Sequence, residues 1–478
     1  MTDLFNCQSL AGTHAFLKEA KLNKTHPSVA QRLVDYIHNF GYGQLPSEVV
    51  AHSKLVILDT LGAIIAASNP KYSASRIITD FAKDQGGTPE SSVVGRNFKT
   101  NCVNAALING TLGYYCDIES HHVRAVVHAP ASNVPTALAI GERVKASGKQ
   151  FLAAITLGID VACRVSNAIG PTALYNRGFH PSCVAGAFGT AVNAGHLLGL
   201  NQKQFANTLG LVATQACGTL GWENDPTENS RPFNPGLAAR NGTTAALLGS
   251  MDFGGPPDPF EERFNIFDAW SVEPHLEEIT DGLGERFAIT ELAFKRYACC
   301  AFTHPGLDAL FSIMEAHNLT HQQIQRIVLR FPKSGVALIN DDKLKSHSGS
   351  YVLAVGAYAK RVLIEDILQD RRAEPEIRRL HDGVEIVGDE SIDHLFPARY
   401  TTIVEVTTTD GRHFSERVDF ARGCPENPME REELEAKYFT LTEPEIGREQ
   451  AESIKDVVNN LEAVKDISVL GDLLRESD

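Results

Sequence analysis

At 478 residues the chain is too long for one ordinary core, so two or three domains are expected. Its 43% hydrophobic content is normal for a folded protein and too high for a disordered one. The 44 Lys and Arg against 59 Asp and Glu leave a net charge of −15, which argues against a nucleic-acid partner because a phosphate backbone needs a clustered basic surface. An anionic small molecule remains compatible, since a few local cations decide that.

Nine cysteines are scattered at positions 7, 102, 116, 163, 183, 217, 299, 300 and 424. Their number is odd and no CxxC spacing occurs, so reduced thiols in an intracellular compartment are expected. The start, Met1-Thr2-Asp3-Leu4-Phe5, lacks the basic and apolar regions of a secretory signal, and Glu476-Ser477-Asp478 is no peroxisomal address. The longest apolar run, residues 55–67, carries Asp59 and reads as too short to span a bilayer. The expectation is a cytoplasmic protein with no membrane partner, mitochondria being left open.

Residues 1–25 read as a loose polar arm. From Val29 a helical period places Leu33, Ile37 and Phe40 on one face until Gly41-Tyr42-Gly43 breaks it. A second helix follows Leu45-Pro46, apolar nearly all round and therefore buried. Ser92-Val93-Val94 is a short extended piece. Helices are expected over residues 100–115, 135–146, 149–168, 183–200, 202–216 and 238–251, rich in Ala and Gly, with 222–235 and 254–259 irregular. No sustained alternating strand precedes residue 280.

The character then changes. Residues 324–331 alternate and are β-branched, and residues 400–406 and 413–420 form two strands joined through Thr409-Asp410-Gly411, a hairpin signal. Helices at 305–316 and 350–368 lie between, and helices at 431–438 and 448–461 close the chain. The predicted fold is mainly α: a large helical domain from residues 1–282, a smaller α+β lid over 283–425, and C-terminal helices, 426–478, returning to the helical domain.

The chemistry concentrates in one stretch. Asp117-Ile118-Glu119-Ser120-His121-His122 is followed within six residues by His128, placing two acids and three imidazoles together. Carboxylates beside imidazoles suit proton transfer, because each perturbs the other toward neutrality. His180 stands just before a Pro-Ser helix start, where first-turn amides are unpaired and an anion could sit. Arg231 offers an always-charged fork for a carboxylate, although Arg240 in the same segment could equally serve a surface ion pair. Lys295-Arg296-Tyr297-Ala298-Cys299-Cys300 with His304 gathers a cation, two thiols and an imidazole, and Tyr351 opens an apolar helix. Adjacent Cys299 and Cys300 cannot easily share one tetrahedral ion with His304, so a zinc site is not expected. Acids, imidazoles and cations without a phosphate cradle suit proton removal beside a carboxylate on a polyanionic substrate, with the cations holding the carboxylates.

With these motifs in order, the chain resembles the MmgE/PrpD family, which includes 2-methylcitrate dehydratases, cis-aconitate decarboxylases and iminodisuccinate epimerases. The likeness rests on the run Leu55 to Gly62, Asn109-Gly110, the Asp117 to His128 stretch, Gly178-Phe179-His180-Pro181, Ala238-Ala239-Arg240-Asn241-Gly242, Lys295-Arg296-Tyr297 and Asn427-Pro428. The resemblance implies a helical body, an α+β lid, a homodimer, a site in the cleft between body and lid, and no metal or organic cofactor. It also implies catalytic roles for Asp117, His128, His180, Lys295 and Tyr351. His121, His122, Arg231, Cys300 and His304 are the candidate substrate-binding residues. The chain departs from the family in carrying Ile118-Glu119-Ser120-His121 where members read roughly Phe-Asp-Asp-Thr, and Arg231 where many have a lysine; an arginine cannot act as a general base.

The expected activity is lyase chemistry on a small di- or tricarboxylate. Dehydration of a 2-methylcitrate or alkylcitrate is the first reading, with decarboxylation of cis-aconitate to itaconate as the alternative and epimerisation third. A non-catalytic carboxylate-binding homologue and a zinc hydrolase using His304 are the rivals from other classes.

Overall fold

Leu33, Val34 and Ile37 bury one stripe of the helix Val29–Asn39 against a body of long helices, and Ser28 caps its first turn through Gln31 N–H. The computed structural model describes residues 26–341 and 343–475; the expected arm at 1–25 and the C-terminal tripeptide lie outside the described residues. The body is built from Ser47–Ala67, Ser73–Gln85, Cys102–Tyr115, Ala129–Val144, Gly148–Ile169, Pro181–Leu197, Gln202–Ala213 and Ser230–Ser250. Its interior helices touch backbone to backbone. A Cβ added at Gly158 would stand 2.8 Å from the carbonyl of Gly189, and one at Gly189 only 2.3 Å from the carbonyl of Gly158. The same closeness joins Gly110 of Cys102–Tyr115 to the Cα of Gly236, 3.1 Å from its would-be Cβ. Small residues thus let the helix ends that carry His128, His180 and Arg231 converge.

Ser47–Ala67 and Gly148–Ile169 are long and apolar enough to cross a membrane by length and composition, which corrects the reading of residues 55–67 as too short. Their most apolar stretches are 78% and 94% buried within the protein, the pattern of core helices.

Four strands form one mixed sheet in the order Val384–Asp389, Ile324–Pro332, Thr402–Thr408, His413–Val418. The first pair is parallel (Ile327 opposite Val384) and the others antiparallel (Leu329 opposite Val404, Val404 opposite Glu416). Thr402–Thr408 alternates buried and half-buried residues along its whole length, as a strand with one covered face should. The helices His304–Ala316 and Gly349–Ala359 pack on the sheet unit, and their apolar residues form a cluster separate from that of the helical body. The C-terminal helix Arg431–Ile446 lies on Ser47–Ala67, where the ring of Tyr438 comes within 3.2 Å of a Cβ added at Gly62.

Several boundaries differ from expectation. Ser230–Ser250 begins inside the stretch expected to be irregular, with Pro232 in its first turn and Pro235 within the helix. Ala129–Val144 likewise starts six residues early and contains Pro135. The helix expected over 350–368 is two: Lys360 takes a left-handed conformation (φ 54°) after Gly349–Ala359, and Asp366 caps Leu363 N–H at 2.9 Å to start Ile364–Leu368. The strand Val384–Asp389 was not expected, because it lacks a clean alternation.

Candidate active site

A two-residue antiparallel pairing makes the site possible. His121 and His122 of the acid-rich loop pair with Ala293 and Leu292, the segment leading into the sheet unit. Lys295 follows two residues later and therefore enters the acid loop. Its ammonium donates to a carboxylate oxygen of Asp117, to the Asp117 carbonyl at 3.2 Å and to Glu119 at 3.4 Å. Asp117 takes a positive φ of 52°, which turns its carboxylate inward. From behind, Lys437 of Arg431–Ile446 holds the Ile118 carbonyl at 2.6 Å and Asp59 at 2.5 Å.

The two catalytic histidine candidates each stand at a helix start. His128 precedes Ala129–Val144 and His180 precedes Pro181–Leu197, and both helices have Pro in the first turn. His128 N–H donates to Ser182 Oγ at 3.0 Å, fixing one loop to the other. The His128 ring lies 4.7 Å from the Tyr114 ring and stacks on His121 at 5.2 Å; His180 packs edge-on against Trp222 at 5.6 Å. His128 Nδ1 is 2.6 Å from Glu119 Oε1, close but bent out of regular hydrogen-bond alignment.

These groups face a tight chamber of about 40 Å³ lined by Asp117, His121, His128, His180, Lys295 and Cys300 on its polar side and by Val126, Phe302, Leu338, Trp222 and three tyrosines, Tyr114, Tyr175 and Tyr400. His347 and Glu223 complete the lining. A larger cavity of about 350 Å³ lies on the far side of His121, Ala301 and Tyr400, which belong to both walls. The smaller chamber holds the chemistry, because unsatisfied polar atoms point at it. On residues that line it, Asp117 Oδ2, both ring nitrogens of His121, Nδ1 of His180 and Nε1 of Trp222 are buried with no aligned hydrogen-bond partner among the described residues, and Glu119 Oε2 adds another outside the lining. Buried polar atoms are normally paired, so a group of orphans around one void marks a ligand site.

Charge follows the same geometry. Burial pushes the Asp117 carboxyl up, but Lys295 and Arg231 outweigh it and hold it well below the usual carboxylate range. Glu119 goes the other way. Burial, with repulsion from Asp117, outweighs Lys295 and raises its carboxyl to about 7. Burial disfavours the Lys295 ammonium, yet Asp117 and Glu119 keep its pKa above the ordinary lysine value. Burial, aided by the nearby cations, holds His128 and His180 well below the ordinary imidazole value; His347 falls to about 3, mainly through burial. Lys295 and Arg231 thus face an ionised Asp117, while Glu119 can take up or give a proton near neutrality.

Not every expected residue reaches the chamber. Arg231 lies one layer behind it, 3.5 Å from Asp117, over the Tyr114 ring at 4.7 Å and 3.4 Å from the Tyr115 carbonyl. Its charge reaches the chamber through Asp117 rather than by lining it. His122 turns away, accepting Ala125 N–H at 3.0 Å and meeting Glu291 at 3.1 Å, and His304 lines the larger cavity with Nε2 3.2 Å from the Cys299 carbonyl. Tyr351 is fully buried in the sheet unit's apolar cluster, and its hydroxyl donates to the Asp366 and Gln369 carbonyls. Its place on the wall is taken by His347, four residues earlier. Glu228 pins that segment, accepting Lys345 N–H and Ser346 Oγ–H at 3.0 Å each. Tyr351→Phe should therefore keep turnover within about threefold while lowering stability by about 1 kcal/mol, read by steady-state kinetics and urea unfolding.

His347, Trp222, Tyr175 and Tyr400 were missed from the sequence; Tyr114 was missed although it stands three residues before Asp117. No group of three or more His, Cys, Asp or Glu side chains with metal-binding geometry occurs among the described residues.

Comparison with known proteins gives the same direction. The chain is 27% identical over 465 residues to a cis-aconitate decarboxylase of Homo sapiens, covering 94% of this chain and 95% of that protein. It is 25% identical over 487 residues to a cis-aconitate decarboxylase of Aspergillus terreus (96% and 98%) and 25% identical over 474 residues to one of Mus musculus (94% and 93%). The MmgE/PrpD N-terminal domain profile matches residues 31–279 and the MmgE/PrpD C-terminal domain profile matches residues 297–463, so the chain belongs to the MmgE/PrpD family.

Proposed function

We propose that the chain is a lyase that decarboxylates a cis-aconitate-type tricarboxylate. The observation that carries this reading is the set of unsatisfied polar atoms around one chamber, beside the buried Lys295 ammonium. The names of the relatives support decarboxylation over the dehydration expected first, and the acids, imidazoles and cations of the site would serve either reaction.

The substrate carries one carboxylate on a CH2 group beside a carbon–carbon double bond. Breaking that CH2–carboxylate bond releases CO2, and the electron pair moves through the double bond to the carbon bearing the far carboxylate. One proton added there gives a methylidene diacid, so a trianion and a proton become a dianion and CO2. Lys295, fixed between Asp117 and Glu119, stabilises the charge that spreads onto the far carboxylate, and Arg231 adds its field from behind. His128 delivers the proton from the ring nitrogen away from Glu119, while Glu119 replaces it at Nδ1. His180 and His347 hold retained carboxylates. The apolar wall of Val126, Phe302 and Leu338 accepts the departing neutral CO2.

The test is a product-identified assay of the full chain with cis-aconitate, 2-methylcitrate and longer alkylcitrates. Stoichiometric CO2 and a methylidene product, carrying one deuteron on the saturated carbon when made in D2O, are expected from cis-aconitate. An unsaturated product from an alkylcitrate without CO2 would return the assignment to dehydration.

A further inference from the structure

Behind the catalytic helix start lies a pair of thiols that the proposed reaction does not use. Cys183 is buried in the first turn of Pro181–Leu197, three residues after His180, and Cys217 is exposed on the loop that crosses it. The loop backbone presses on Cys183: a Cβ added at Gly218 would fall 2.5 Å from Cys183 Cβ and 2.6 Å from its sulfur. Cys217, the residue before Gly218, is thereby held beside Cys183, and each thiol shifts the other. The Asn241 amide approaches the Cys217 sulfur at 3.9 Å, itself oriented by Arg240 at 3.0 Å and by the Gln215 carbonyl at 3.0 Å. Led by Cys183 and helped by Arg240 and Asn241, these contacts bring the Cys217 thiol down to about 6. An exposed thiolate-forming cysteine beside a second, buried cysteine is the arrangement of an attacking and a resolving thiol.

We propose that Cys217 and Cys183 form a peroxide-responsive dithiol that closes to a disulfide at the start of the helix bearing His180. Cys217 thiolate attacks one oxygen of a hydroperoxide; the O–O bond breaks, and the leaving oxygen takes a proton, as water when the oxidant is hydrogen peroxide. The Cys183 sulfur then attacks the Cys217 sulfenic sulfur, loses its own proton and expels the hydroxyl as water. Two thiols are oxidised by two electrons and the peroxide is reduced by two.

The switch is wired to the chamber through the backbone. His180 N–H donates to the Gly218 carbonyl at 2.9 Å, Leu220 N–H donates to the Gly178 carbonyl at 2.8 Å, and Trp222 on the same loop packs against His180. A disulfide would pull Gly218 toward the helix and shift His180 with it.

The experiment uses the reduced full chain, treated with equimolar hydrogen peroxide, quenched by alkylation and mapped as peptides without reduction. The expected result is a Cys183–Cys217 cross-link, reversed by dithiothreitol and absent in Cys217→Ser, while Cys183→Ser accumulates a dimedone-trappable sulfenic acid on Cys217. Without peroxide, Cys217 should be alkylated at least about tenfold faster at neutral pH than half-buried Cys424. Sulfenic acid on Cys217 of the unmutated chain with no cross-link, or alkylation of Cys217 no faster than of Cys424, would overturn the proposal. None of these readouts uses turnover, so they stand apart from the substrate assignment.

Discussion

Lys295→Met is expected to lower turnover of the decarboxylation substrate by about 10³-fold, the scale seen when a single oxyanion-stabilising donor is removed. The ammonium is 1% exposed and is the cation between Asp117 and Glu119. Its removal takes away the positive charge nearest the void and leaves two acids in a space that cannot hydrate them. Asp117 keeps Arg231 at 3.5 Å, but Glu119 keeps only the His128 contact. Removing one partner of a buried ion pair costs about 3 kcal/mol, so the variant should also unfold at lower urea concentration. A double variant separates the two effects. Glu119→Gln with Lys295→Met removes both ends of the Lys295–Glu119 contact and leaves Asp117 paired with Arg231, so it should recover part of the lost stability and none of the turnover. Recovery of turnover in the double variant, or full turnover in Lys295→Met, would remove the lysine from the mechanism.

The residues of that cluster were legible in the sequence for unequal reasons. The acid and histidine loop is local: Asp117 to His128 falls in one stretch, and polar density inside an otherwise apolar region is a visible signal. Lys295 was legible through resemblance, and its mate became evident only through the pairing of His121 with Ala293, a long-range contact that no local pattern encodes. The Tyr351 assignment failed over a single helical turn. A helix start near residue 349 was correctly expected, but capping by Ser348 turns Tyr351 into the apolar cluster and leaves His347 before the helix, facing the void. Arg231 failed by depth. Composition shows a cation in the right segment, but not that Tyr114 and Asp117 stand between it and the chamber. The helical character of the body was readable from small and apolar residues at helical spacing, whereas early helix starts at Ser230 and Ala129 were hidden by prolines that interior packing tolerates.

Glu119→Gln tests the departure from the family pattern most directly. The amide keeps the volume and one acceptor but cannot pass a proton. Turnover should fall about 10²-fold with a much smaller change in KM, because the lost function is proton supply rather than substrate contact. The pH profile gives the sharper reading. Glu119 is active as the acid, and burial with repulsion from Asp117 places its loss of the proton at about 7 despite Lys295. Wild-type kcat/KM should therefore decline as pH rises through that value, and Glu119→Gln should lack the decline. Stability must follow the same sign. A carboxyl whose folded pKa is raised stabilises fully below the ordinary carboxylate range and loses that contribution as pH rises through about 7. The stability advantage of wild type over Glu119→Gln should thus shrink between roughly pH 5 and 8. His128 contributes the opposite slope at the acid end, since burial lowers its pKa and protonation there costs the fold in both proteins alike. A residue that merely packed against His128 would change the rate and leave the profile where it was. Identical pH profiles for the two proteins would therefore reduce Glu119 from proton store to spacer.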